Sequence, residues 1–240
     1  MPEWLVAWMG AEGITLWGVA DLRGLAAPLS EAGSPFPYGV SFALPVNPDI
    51  MATVRNGPTH PYAAEYVRLN SRIDRLGAAL AAELVQRGFS ARPLAASQRV
   101  DRVRIAGEFP QKTVATRAGL GWIGRNCQLV TRSLGPWVRL GAVFTDLGLP
   151  CGTPVEQGYC GGCTRCVDAC PSGALKGAVW HAGLPREAML DAAVCDRWKK
   201  EHYTEYEDGH ICGICSAVCP HGSKALRQAS PARSPDARVP

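Results

Sequence analysis

Apolar positions follow two different periods along the first 150 residues. At 14–19 and 39–46 they form short continuous runs bounded by Gly, Asp and Pro, a pattern that predicts buried strands. Between 61 and 87 the period lengthens. Tyr66, Leu69, Ile73, Leu76, Leu80 and Leu84 recur at steps of three and four, which predicts one long helix with a single apolar stripe. Pro61 suits its first turn, and Gly88 suits the left-handed residue just past its end. Segments 128–131 and 138–145 read as further strands, and 147–150, Leu-Gly-Leu-Pro, reads as a linker. Residues 112–126, KTVATRAGLGWIGRN, predict a short helix ended by Gly119 and then a glycine-rich turn carrying Trp122. Gly119, Gly121 and Gly124 would let backbone approach a large ligand closely, although a plain helix–strand connection explains them as well.

Beyond 150 the periodicity gives way to cysteine. Cys160, Cys163, Cys166 and Cys170 are followed by Pro171; Cys195 stands alone; Cys212, Cys215 and Cys219 are followed by Pro220. This is the spacing by which bacterial ferredoxins hold iron–sulfur clusters, the fourth cysteine of a run ligating the other cluster. The expected sets are therefore crossed: Cys160, Cys163, Cys166 and Cys219 on one 4Fe–4S cluster, Cys170, Cys195, Cys212 and Cys215 on the other. Zinc is the competing reading, since paired C-x-x-C motifs also build zinc sites. Zinc ribbons show two separated pairs, whereas three cysteines here are each two residues apart and a fourth follows after three. Cys151 is needed by neither set. Cys127 either lines a cofactor pocket or is an ordinary buried thiol.

The N-terminal residues Met1-Pro2-Glu3-Trp4 lack the basic segment and cleavage site of a secretory signal, and no apolar stretch approaches the roughly 18 residues of a membrane span. A cytoplasmic setting with no membrane association is expected, and in that compartment ten cysteines favour metal over disulfides. The net charge of +4 is mild, and part of it sits in a Pro/Ser/Ala-rich tail, 223–240, expected to be disordered. No aromatic residue interleaves the tail's charges, so a solvated end is preferred over nucleic-acid binding.

With the cysteines in place, the middle of the chain becomes specific. AGLGWIG at 118–124, LGAVFTDL at 140–147, CGGCTRCVDACPSGAL at 160–175, LDAAVC at 190–195 and ICGICSAVCP at 211–220 resemble, in order, the epoxyqueuosine reductase-like family, cobalamin-dependent iron–sulfur proteins related to the reductive dehalogenases. GPTHPYAAEYVRLN at 57–70 looks like a short-chain branch of it. The resemblance implies an α+β protein: a nitroreductase-like α/β cobalamin domain over 1–150, then a ferredoxin-like domain with two 4Fe–4S clusters over 151–222. Gly119, Leu120, Gly121, Trp122, Ile123, Gly124, Asn126 and Cys127 would border the cobalamin, and a flavin in the same pocket is the alternative. A donor such as ferredoxin or flavodoxin would supply electrons for reduction of a small-molecule or corrinoid substrate.

Two departures shape the expected activity. The family's tRNA-modifying members carry an aspartate proton donor at the position that falls here on Ile105, and they continue beyond the cluster domain. Both argue against epoxyqueuosine in tRNA as the substrate. Glu108 is the nearest downstream carboxylate, a general-acid candidate set against a bare solvated glutamate. A protein that only delivers electrons needs no proton donor, so a non-catalytic electron-transfer or corrinoid-reducing partner is the second reading. The D-x-H-x-x-G run at 208–213 places His210 beside a cluster cysteine, where it would tune the cluster rather than bind cobalt. Trp198, Tyr203 and Tyr206 are expected to shield a cluster from water, and Tyr62 is expected to face the cofactor.

Overall fold

A computed structural model describes residues 1–30 and 33–222; the tail at 223–240 lies outside the described residues. The apolar runs pair as antiparallel strands: β1 (Leu16–Asp21), β2 (Tyr38–Pro45), β3 (Ala91–Leu94) and β6 (Val138–Thr145), in the order β1-β2-β6-β3. The register sets Tyr38 opposite Thr145 and Pro45 opposite Val138. Gly141 faces Phe42 across this pair, and a Cβ there would lie 2.3 Å from the Phe42 ring, so the glycine makes room for the aromatic. β3 went unrecognised in the sequence because Arg92 and Pro93 interrupt it; a proline is tolerated because β3 is an edge strand.

Side chains of β6 alternate between two cores. Val143 joins one with Phe42, Leu44, Trp137 and the apolar stripe of α3 (His60–Gln86), while Ala142 and Phe144 join another with Leu22, Phe36, Phe109 and Val114. Thr59 caps α3, its hydroxyl accepting from the Tyr62 N–H at 3.4 Å. The stripe is buried from Leu69 to Leu84, but Tyr66 at its head is only half-buried, and its hydroxyl pairs with Ser97 Oγ at 2.7 Å. α1 (Glu3–Ala11) adds Leu5 and Met9 to the first core, and the short α2 (Pro48–Ala52) adds Met51. On the opposite face lies α4 (Gln111–Arg117), ended by Gly119 at φ +80° as expected. The glycine-rich segment after it forms a hairpin of β4 (Gly121–Ile123) and β5 (Leu129–Thr131).

The cysteine-rich part carries α5 (Arg165–Asp168), α6 (Ala192–His202) and α7 (Ile214–Ala217), and it is packed onto the sheet. Leu149, in the segment read as a linker, is 5% exposed within the first core, and Ala217 of α7 joins the same core. Trp137, 1% exposed, donates its indole N–H to Ser216 O at 2.8 Å. Among the described residues no helix is long and apolar enough to cross a membrane.

Replacing Leu80, fully buried in α3, by Ala is expected to cost about 2–5 kcal/mol and to lower the urea midpoint. Val85→Ala on the exposed side of the same helix is expected to stay within about 0.5 kcal/mol.

Candidate functional site

Three consecutive side chains at the tip of the β4–β5 hairpin reach three different places. The tip is closed by bonds from Gly124 N to Gln128 O (2.9 Å) and from Cys127 N to Gly124 O (2.8 Å), with Cys127 in the left-handed region at φ 57°. Arg125 donates to Gly161 O at 2.8 Å and to Gly177 O, gripping the first cysteine loop. Asn126, 2% exposed, bonds Cys215 O at 3.4 Å in the second cysteine segment. Cys127, also 2% exposed, turns the other way, onto a cavity of about 710 Å³.

The first group of thiols, Cys160, Cys163, Cys166 and Cys219, lines one small pocket together with Arg125, Asn126 and His221. Burial, reinforced by Cys219, Cys160 and Cys163, pushes the Cys166 thiol up to about 11. In the second group burial pushes Cys212 up to about 11, with Cys195 and Cys170 adding to it. Cys215 is raised further, again by burial first and then by Cys212, Cys195, Cys166 and Cys170. Such thiols hold their protons at neutral pH, and binding a metal centre would displace them. Among the described residues no three His, Cys, Asp or Glu side chains close around a single ion. The four thiols of the first group instead share one pocket.

Of the residues expected at a cofactor, Ile123, Cys127 and Glu108 line the 710 Å³ cavity. Asn126 points to the cysteines, while Leu120 and Trp122 are buried among apolar neighbours. The three glycines carry a different steric reason from the expected one. A Cβ at Gly119 would meet Thr153 O at 2.9 Å, one at Gly121 would meet Val130 O at 2.2 Å, and one at Gly124 would meet the Asn126 side chain at 2.7 Å. They let chain approach chain. Glu108 is not a bare solvated carboxylate: Arg92 donates to its Oε1 at 2.8 Å. Ile105 stands in the left-handed region at φ 53°, uncommon for a β-branched residue. Arg186 holds that turn, donating to Ile105 O at 3.0 Å and to Arg104 O at 2.6 Å.

Sequence reasoning missed Gln111 and Lys112, which open α4 and line the same cavity. Lys112 Nζ donates to Cys127 O and lies 3.7 Å from Cys127 Sγ. Gln111 Oε1 is buried without a hydrogen-bond partner. No local pattern marks either residue; only the fold places them there. A second cavity, of about 700 Å³, is lined by Tyr66, Ser97, Arg99, Asp196, Lys200 and His210. Tyr66 therefore faces a cavity, whereas Tyr62 packs against the first core. Trp198 stacks on His202 at 4.2 Å and meets Tyr203 edge-on at 5.1 Å. Tyr206 lies 5.0 Å from His60, so these rings tie the α6 region to the start of α3.

Asp196, next to Cys195, joins the two parts electrostatically. Burial would raise its carboxyl, but hydrogen bonds from Arg99 and Lys200 outweigh that and hold it at about 2. Arg99 reaches it at 2.7 Å from a loop of the α/β part. Asp196→Asn is expected to lower stability by about 2 kcal/mol in anaerobic urea titrations, because three neighbouring cations, Arg99, Lys199 and Lys200, lose their shared counter-charge.

Residues 159–222 match the family described as "4Fe-4S double cluster binding domain". An epoxyqueuosine reductase from Bacillus cereus is 33% identical over 139 residues, 54% of this chain and 34% of the relative. One from Gloeobacter violaceus is 36% identical over 132 residues, 50% of this chain and 38% of the relative. The matched stretch thus spans little more than a third of these curated relatives. The catabolic reductive dehalogenase NpRdhA, with 3-bromo-4-hydroxybenzoic acid bound, shares the fold at TM-score 0.71 and 20% identity, over 90% of this chain and 31% of that one. Epoxyqueuosine reductase from Streptococcus thermophilus superimposes at TM-score 0.55 and 20% identity, over 93% of this chain and 67% of that one.

Proposed function

We propose that the chain is an epoxyqueuosine reductase-like iron–sulfur oxidoreductase that passes electrons through two 4Fe–4S clusters to a cobalamin at the 710 Å³ cavity. One juxtaposition carries the reading: a single hairpin tip reaches both groups of thiols and opens, through Cys127, onto that cavity. Cys160, Cys163, Cys166 and Cys219 would hold one cluster, and Cys170, Cys195, Cys212 and Cys215 the other. The buried donors Trp122 Nε1 and Arg125 Nε have no protein partner, a feature that suits sulfide acceptors nearby. Gln111 Oε1, a buried acceptor on the cavity wall, suits the carboxamide rim of a corrin. The α/β part corresponds in this reading to a nitroreductase-like domain.

When bound, the clusters supply single electrons and low-valent cobalt supplies a nucleophile. The chain supplies position and exclusion of water. Arg125 and Asn126 fix the two cysteine segments relative to the cavity, and Lys112 brings an ammonium to its wall. The related epoxyqueuosine reductases lend no weight to excluding epoxyqueuosine in tRNA, so that substrate is assayed alongside small halogenated and corrinoid candidates. One observation favours the second reading, an electron-delivering partner without a reaction of its own. Ile105 occupies the expected proton-donor position, and Glu108 is engaged by Arg92.

Protein purified anaerobically from cells supplied with cobalamin is expected to contain about eight irons and one cobalt per chain. Iron without cobalt or corrin absorbance favours the electron-delivering partner or a flavin, and zinc in place of iron rejects the proposal. Cys163→Ser is expected to halve the iron content, to about four per chain, if the second group assembles independently.

A further inference from the structure

We infer that electrons enter through a cationic, tyrosine-centred face over the Cys160–Cys163–Cys166 loop, where a small acidic electron-carrier protein docks. The inference rests on the iron–sulfur reading above and adds to it the place and chemistry of the partner.

Of the two groups of thiols, the first lies nearer solvent. Gly161, Gly162, Thr164 and Arg165, which interleave its cysteines, are all exposed. Between the cysteines of the 212–219 segment, by contrast, Ile214 and Ala217 are buried and Gly213, Ser216 and Val218 half-buried, with Ala217 in the sheet core. Beside the exposed loop stands Tyr159, immediately before Cys160 and 54% exposed despite its size. Its ring meets Trp122 edge-on at 5.4 Å, and the Arg132 guanidinium lies 5.5 Å above it. Arg165 is exposed between Cys163 and Cys166, and Arg125 reaches Gly161 O of the same loop; Asp168, exposed and accepting from Thr164 Oγ1 at 2.8 Å, offsets one of these charges.

An exposed aromatic with one arginine over its ring and a second arginine exposed in the adjoining loop is a composition that favours protein recognition. Its charge selects an acidic partner, and the same attraction speeds encounter. The face is also rigid, because Arg125 pins both Gly161 O and Gly177 O beneath it. A docked carrier would lie next to the thiols of the first group, and transfer there needs no bond to form or break. One electron leaves the reduced carrier and one cluster of this chain gains it.

The test mixes the anaerobic holoprotein with a reduced, acidic plant-type 2Fe–2S ferredoxin in a stopped-flow instrument. It compares wild type with the double variant Arg132→Glu/Arg165→Glu, and uses Arg75→Glu on α3 as a charge control. The second-order rate of cluster reduction is expected to fall at least tenfold in the double variant at low salt and to converge with wild type near 0.5 M salt, while Arg75→Glu stays unchanged. Reduction by dithionite, which needs no docking, is expected to be equal in all three. Equal ferredoxin rates at low salt, or no reduction by ferredoxin where dithionite succeeds, overturn the docking face. Absence of iron–sulfur absorbance before mixing overturns the reading beneath it instead.

Discussion

The site depends on where one hairpin tip is held. Residues 124–128 turn tightly enough that Arg125, Asn126 and Cys127 diverge, to the first cysteine loop, the second cysteine segment and the cavity respectively. Their directions are set by backbone geometry, above all by the left-handed Cys127 and by the Asn126 side chain accepting from Gln128 N at 3.2 Å. The tip in turn is fixed by strand pairing so close that position 121 has no room for a Cβ. Glycine there is a condition for the hairpin, and the hairpin is a condition for bringing thiols and cavity together. AGLGWIG thus acts as a wedge between chain segments, with its Ile123 on the cavity wall beside Cys127.

A second constraint acts from the sheet. Trp137 reaches from the start of β6 to Ser216 O, and there is no space for a side chain at Gly222, whose Cβ would sit 2.3 Å from the Trp137 indole nitrogen. The segment carrying Cys212, Cys215 and Cys219 is therefore seated on the apolar core rather than suspended from the other cysteines. Asp196 completes the attachment on the far side, exchanging one buried carboxylate for contacts with a loop arginine and two helix lysines. Hydrophobic seating on one side and a desolvated ion network on the other limit how far the two thiol groups can drift apart.

Much of this was legible in the sequence, for identifiable reasons. The strand at 138–145 and the long helix were recoverable because their apolar periods are uninterrupted and proline and glycine mark the helix ends. The cysteine spacing carries its grouping with it, and the thiols that line one pocket are those that the spacing set together. Other features were not recoverable. Tyr66 continues the apolar stripe by spacing yet faces a cavity, where it meets the Arg139 guanidinium of β6 at 4.3 Å and Ser97 Oγ at 2.7 Å instead of the apolar core. The engagement of Glu108 by Arg92 and the support of Ile105 by Arg186 join residues 16 and 81 positions apart, which no local pattern announces. α1 did leave a trace, Leu5 and Met9 four residues apart, but flanking tryptophans blur its stripe.

Ile105 shows how the two kinds of information combine. From sequence it is only a missing carboxylate, an argument from what the family has and this chain lacks. In the fold it becomes something positive: a β-branched residue held at φ 53° by two bonds from one arginine to the Arg104 and Ile105 carbonyls, at the edge of the cavity. A backbone conformation that costs about 1–3 kcal/mol persists only where its surroundings fix it. Arg186 supplies that fixing from the cysteine-rich part, so the turn's shape depends on the two parts staying together. The turn presents backbone and an apolar group to the cavity. The same wall carries Glu108 and Lys112, so charged groups stand beside the apolar turn.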